Sequence, residues 1–386
     1  MGTLYYDVEK NVCSIREELT GYMKKLKIVI AVLVLLFVAG VAVHSVFGKR
    51  EYEGYEVVRE LEVSEVLNYS EVDGALVRCG KEGAQAVSKD GTVLWNVTYG
   101  TMKNPSFTFC GSVMAIADIG AKQYLLSDGT GITKTFSTPY QIQAISVSKQ
   151  GVTAVLMNGE EKDYICLYSK DGELLSEIET VVARDGFPLA LALSEDGKKL
   201  ITSYMKVERD EPVSSVTFYN FGEVGQNYTR NLVGQVQYAQ CMVPRITFWD
   251  NDTVAVVGDN VLELFSMKEI PEPIHKKEIS SEIKSIAFGD YLCMVTKNKE
   301  GQEILEAYDK SGEIRMKKVI TFPYAGMHTA GKEVVLFSYS DCEIYGIDGT
   351  LIYRGTFENG VRHMFVIGGN RYYLVENRLV RVIRLK

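Results

Sequence analysis

One phrase recurs through this chain: an apolar run, a polar pair carrying Asp-Gly or Ser-Gly, then a second apolar run. It reads AVSKDGTVLW, LLSDGTGI, LYSKDGELL, FYNFGEV, AYDKSGEI and YGIDGTLI. Glycine takes the positive φ of a tight turn without a Cβ clash, so these phrases predict hairpin tips. The apolar residue four before each turn glycine is Val87, Leu125, Tyr168, Phe218, Tyr308 or Tyr345, and Phe265 in VLELFSMKE fills the gap with a degraded turn. Successive anchors lie 38, 43, 50, 47, 43 and 37 residues apart.

A period of about 40 to 50 residues holds four short strands, the content of one propeller blade. One unit reads IQAISVS, VTAVLMN, DYICLYS and ELLSEIE, another SIAFG, YLCMVTK, EILEAYD and IRMKKVI. No long amphipathic helix follows residue 50, so the pattern predicts an all-β array. Beyond Tyr345 come three strand-like runs, RHMFVIG, YYLVE and RLVRVIRL, without a fourth. The run Tyr55 to Val63, YEVVRELEV, precedes the first unit and lacks a partner of its own. Pairing the two would close a ring and remove its exposed edges. The expected fold is a β-propeller of eight four-stranded blades, one of them composite, with seven blades as the alternative. A sandwich or two stacked β-domains would not require the period.

Ile28 to Phe47 reads IVIAVLVLLFVAGVAVHSVF, without a formal charge. As a helix it covers about 30 Å, the thickness of a bilayer's hydrocarbon core. It is longer than a signal-peptide core and starts later, although Val43 and Ser45 would suit a signal peptidase. Lys10, Arg16, Lys24, Lys25 and Lys27 precede it, and Lys49, Arg50 and Arg59 follow. The excess of basic residues before it predicts an N-terminus inside the cell. The expected organisation is a short cytoplasmic segment over 1–27, a transmembrane helix over 28–47 and an extracytoplasmic propeller over 48–386. Val8, Val12, Ile15, Leu19, Tyr22 and Leu26 form one stripe of a helix in the first segment.

SKDGTVLW (Ser88 to Trp95), SKDGELL (Ser169 to Leu175) and GIDGTLI (Gly346 to Ile352) look like the strand-turn-strand signatures of WD40-like and quinoprotein-like propellers. With the apolar segment added, the chain resembles a family of uncharacterised single-pass, membrane-anchored propeller proteins of Gram-positive bacteria that has no assigned function. The resemblance implies fold and place, not chemistry. Of the docking tryptophans of quinoprotein repeats only Trp95 has a counterpart, and it reads as interblade packing.

The chain has 42 basic and 50 acidic side chains; setting aside five basic and four acidic ones in residues 1–47 leaves 37 against 46. A net charge near minus nine repels nucleic acid, which is not an expected partner. The seven cysteines show no CxxC and no metal-ligand spacing. Most lie in apolar runs, where a free thiol packs as a small hydrophobe.

GMHTAGK (Gly326 to Lys332) falls short of a phosphate loop because Glu333 stands where Ser or Thr should reach magnesium, and it reads as a loop between blades. Asp90, Asp128, Asp171 and Asp348 stand singly before glycine and read as turn formers rather than calcium ligands. WDNDT (Trp249 to Thr253) reads as a hairpin, and His363 as packing. No catalytic residue, cofactor or metal site is assigned. The polar connections between second and third strands differ from the rest: Glu160, Glu161, Lys162 and Asp163; Glu208, Arg209 and Asp210; Lys297, Lys299 and Glu300. They would emerge opposite the Asp-Gly hairpins, and loops on a rigid scaffold are where binding resides. The leading expectation is a non-catalytic binding or scaffold module with an unidentified protein or envelope partner. The alternatives are an envelope hydrolase or lyase using channel-facing carboxylates and the ectodomain of a partner-dependent sensor.

Overall fold

The computed structural model describes residues 29–30, 32–35, 37–38, 51–62, 68–72, 74–377 and 379–386. The chain divides into two units, Met1–Glu51 and Tyr52–Lys386. In the first, the described positions between Val29 and Val38 are helical and exposed. The helical stripe of residues 1–27 and most of the span expected over 28–47 lie outside the described residues, among which no helix is long and apolar enough to cross a membrane.

The second unit is an eight-bladed β-propeller, each blade a four-stranded antiparallel sheet. Blades 1 to 7 cover 68–98, 105–137, 141–180, 187–239, 245–278, 282–320 and 326–356. Blade 8 takes three strands from 363–385 and its outermost from Tyr55–Glu62, which pairs with Leu379–Leu385 from Tyr55 opposite Leu385 to Glu62 opposite Leu379. The partnerless run near the N-terminus thus closes the ring, as expected.

Eight apolar clusters hold the blades together, one at each interface among the described residues. Val77 and Ala84 of blade 1 meet Met114 and Ile116 of blade 2, and the same layering continues to Ile344 of blade 7 against Leu374 and Ile383 of blade 8. The last cluster sets Tyr373 and Val382 of blade 8 against Tyr69 and Leu76 of blade 1. Because each sheet is covered on both faces, second strands such as TAVLMN, TVAVV and EVVLF are continuous apolar runs. Outermost strands such as IRMKKVI, wet on one side, alternate instead.

All seven anchors lie in third strands. In six blades the ladder slips one residue beside the anchor, as between Leu167 and Tyr168. The slip leaves Leu94, Leu175 and Ile274 unpaired on their outermost strands, where all three are exposed. These lone apolar residues are products of the bulge rather than a docking patch.

Two local expectations are corrected. Gly326–Ala330 is the innermost strand of blade 7, not a loop between blades, and only Gly331 and Lys332 turn the chain. FYNFGEV is not a tight hairpin: the 3-10 turns Gly225–Asn227 and Thr229–Asn231 separate the third and fourth strands of blade 4. WDNDT does connect two paired strands of blade 5, with Asp250 accepting hydrogen bonds from the backbone N–H of Asp252 and Thr253.

Candidate functional site

The connections between second and third strands share one face of the ring, opposite the Asp-Gly hairpins, because successive strands of a blade alternate in direction. Glu160, Glu161 and Lys162 lie in the blade 3 connection, Arg209 and Asp210 turn the blade 4 hairpin, and Lys299 and Glu300 lie in the blade 6 connection. Lys297 ends the preceding strand of blade 6, and its turn is fixed by Asn298, which accepts from the N–H groups of Glu300 and Gln302. The three groups therefore share a face, and the first lines a cleft.

Blade 4 departs most from the repeat. Its second and third strands, Lys199–Glu208 and Glu211–Asn220, have ten residues each, against five to seven in the other blades. Four extra residues per strand carry the tip about 13 Å further out. Arg209 and Asp210 take φ of 53° and 65°, left-handed values that non-glycine residues seldom adopt outside two-residue hairpin turns. The blade is entered through a short helix, α1 (Val182–Asp185), which ends at Gly186. Gly186 has φ 93°, and a Cβ there would lie 2.7 Å from the Met205 carbonyl oxygen.

Between α1 and the blade 3 connection lies a cleft of about 230 Å³ lined by Gln143, Asn158, Glu160, Asp163, Val182, Phe187 and others. Phe187 is 59% exposed, while Glu160 and Glu161 stand at the rim. Lys162 is turned to an ion pair with Glu179 at 2.9 Å, and Arg184 to one with Asp185 at 2.8 Å. Asp163 is no rim residue: it starts the third strand and is 7% exposed. Ile165 and Leu167 pack toward blade 4, so the two-residue alternation of a strand turns Asp163 the same way. Its carboxylate has no hydrogen bond or ion pair among the described residues, and burial pushes its pKa up.

Two more buried polar groups lie at the interface of blades 3 and 4. Thr180, the register partner of Asp163, has a buried Oγ1 without a hydrogen-bond partner, as does the hydroxyl of Tyr204 on the facing side of blade 4. Tyr204 pairs in register with Pro188, which lines the cleft. Buried polar atoms are nearly always satisfied by protein, water or ligand. Sequence reasoning missed Thr180 and Tyr204 because their meeting depends on which sheet faces which.

The central channel offers little to acid–base chemistry. The eight innermost strands carry two carboxylates, Glu71 and Glu282. A cavity of about 390 Å³ against blades 2 to 5 is lined mainly by apolar and hydroxyl side chains, with Glu195 bound to Lys149 at 2.7 Å. His363 packs among the rings of Tyr69, Phe337 and Phe365, at 5.7, 6.0 and 5.8 Å. Among the described residues no group of His, Cys, Asp and Glu could hold a metal ion.

Elsewhere the charged side chains act as rivets. Glu306 of blade 6 accepts from Lys277 of blade 5 at 2.6 Å and pairs with Lys317 at 2.9 Å. Burial alone would raise its pKa, but these bonds and the Tyr308 hydroxyl hold it below the usual carboxylate range.

The chain is similar in fold to BamB from Moraxella catarrhalis, with 13% identity over 86% of this chain and 100% of that one and a TM-score of 0.54. It is also similar to apo AztD from Citrobacter koseri, with 9% identity over 77% and 88% of the two chains and a TM-score of 0.52. At such identities the likeness is one of fold. No curated protein matches the chain. Residues 48–385, the whole propeller, match the family described as "Family of unknown function (DUF5711)", and the chain belongs to that family.

Proposed function

We propose that this protein is a non-catalytic binding platform that engages a protein partner through the face carrying the blade 3 cleft and the blade 4 hairpin. The observation that carries the reading is the coincidence, on one face of two adjacent blades, of the elongated hairpin, the inserted helix α1 and a cleft lined by the unpaired carboxylate of Asp163. Repetition elsewhere in the ring serves closure; departure from it serves contact. The scarcity of carboxylates on the innermost strands gives the hydrolase alternative no support.

The same proposal places the platform outside the cell membrane, tethered by Ile28 to Phe47. The uncharged twenty-residue run and the basic residues before it support this reading. Maleimide labelling of intact cells after mild unfolding is expected to reach Cys79 to Cys342 and spare Cys13, and the reverse pattern overturns it.

The platform is tested by photo-cross-linkers placed singly at Glu160 and Arg209, and at Lys170 on the opposite face, in cells that make the protein. A product of one defined size from the first two positions and none from Lys170 is expected. Equal yields from both faces, or none from either, count against the platform.

A further inference from the structure

We infer that the cleft between blades 3 and 4 receives one cationic side chain, a lysine or arginine, of the partner protein. This rests on the platform reading and names the chemistry that it recognises. Asp163 sits at the floor, nine-tenths buried, and no described cation neutralises it. Lys162 and Arg184, the nearest candidates in sequence, are held by Glu179 and Asp185. The carboxylate lines the cleft, where an entering cation offsets the penalty that its surroundings place on the charge.

The surroundings decide which cation fits. Thr180 Oγ1, buried without a partner and paired in register with Asp163, supplies a further oxygen acceptor for an ammonium or guanidinium group, and the Tyr204 hydroxyl lies at the same blade interface. Phe187, Val182 and Pro188 give the mouth an apolar wall. A bare metal ion or a compact inorganic cation has no use for that wall, whereas the methylene stem of lysine or arginine lies along it. Glu160 and Glu161 at the rim add a field that draws positive charge inward. At about 230 Å³ the cleft admits one long side chain rather than a folded element.

The test uses the full chain in detergent micelles and saturation-transfer NMR with three probes: the Nα-acetyl methylamides of lysine, arginine and norleucine. Transfer to the side-chain methylenes of the lysine and arginine probes is expected, with norleucine, which keeps the stem and lacks the charge, binding about tenfold or more weakly. Asp163→Asn should remove that preference while leaving the thermal transition of the fold in place. Thr180→Val should weaken the cationic probes with Asp163 intact. Equal transfer from norleucine and lysine, or an unchanged preference in D163N, overturns the inference. So does a crystal structure with a single water satisfying the three groups while neither cationic probe binds. The two readings fail separately. Cross-links from Glu160 and Arg209 without cationic preference leave the platform standing and the inference fallen, and cationic preference without cross-links does the reverse.

Discussion

Arg381, in the third strand of blade 8, donates from Nε to Glu60 of the N-terminal strand at 2.7 Å, joining residues 321 positions apart. Through Nη1 it also binds Glu376 at 2.9 Å, and the Glu376 side chain is 1% exposed. One guanidinium thus serves both the seam of the ring and a buried acid.

Removing the two partners should have unequal effects. Arg381→Ala leaves Glu376 buried and uncompensated, a change that costs about 3 to 5 kcal/mol. Glu60→Ala removes a half-exposed partner and should cost under about 1 kcal/mol. Urea denaturation of both variants measures the difference, and a loss below about 1 kcal/mol for R381A would show that the seam rests on its strand pairing alone.

Acid should weaken the propeller before its carboxylates titrate. Burial and the neighbouring His363 push the pKa of His328 down to about 4, and its Nδ1 has no hydrogen-bond partner. An unfolded histidine takes its proton near 6.5, so between about 6.5 and 4 the unfolded chain binds more protons and stability falls as the pH is lowered. The loss should reach roughly 2 to 3 kcal/mol, allowing for partial exposure of the ring. His328→Phe should flatten this part of the pH–stability curve, and a curve of unchanged slope counts against the assignment.

Asp163 should show the opposite sign. Its raised pKa means that the folded state resists ionisation, so the penalty is absent below the ordinary aspartate range and full above the folded value. Asp163→Asn should therefore be as stable as, or more stable than, the native chain at neutral pH, with the gain vanishing in acid. Melting temperatures across pH check this, and a marked loss of stability at neutral pH would mark Asp163 as a structural group.

The thiols should be slow until the fold opens. Burial pushes Cys79 and Cys293 up to about 12 and Cys166 and Cys241 up to about 11, and raises Cys342 as well. Among the six described thiols Cys110 is half-buried and should be alkylated first at mildly alkaline pH, with the other five of that group reacting only in denaturant. Mass spectrometry of time-resolved alkylation tests the order.

The ring was legible because a hairpin is a local event: Asp-Gly turns and their anchors mark third strands whatever surrounds them. The closing strand was legible through a deficit, since Tyr55 to Val63 lacked a partner and the last unit lacked a strand. Blade 4 resisted, because Phe218 keeps the period while the insertion after it and the lengthened strands change only the spacing. Asp163 was found for the wrong reason, as part of a polar connection rather than as a buried floor. The Thr180–Tyr204 neighbourhood and the Lys277–Glu306 rivet join residues on different blades, which strand periodicity within one sheet does not reveal.

The composite blade also sets a timetable. A ribosome adding about 5 to 20 residues per second needs roughly 16 to 64 s to travel from Glu60 to Arg381. For that interval Tyr55–Glu62 emerges with its backbone groups unmatched, a template for mispairing with another nascent chain. Completion of the circle therefore waits for Leu379–Leu385, and a product halted before Leu379 would have an orphaned first strand for quality control to recognise.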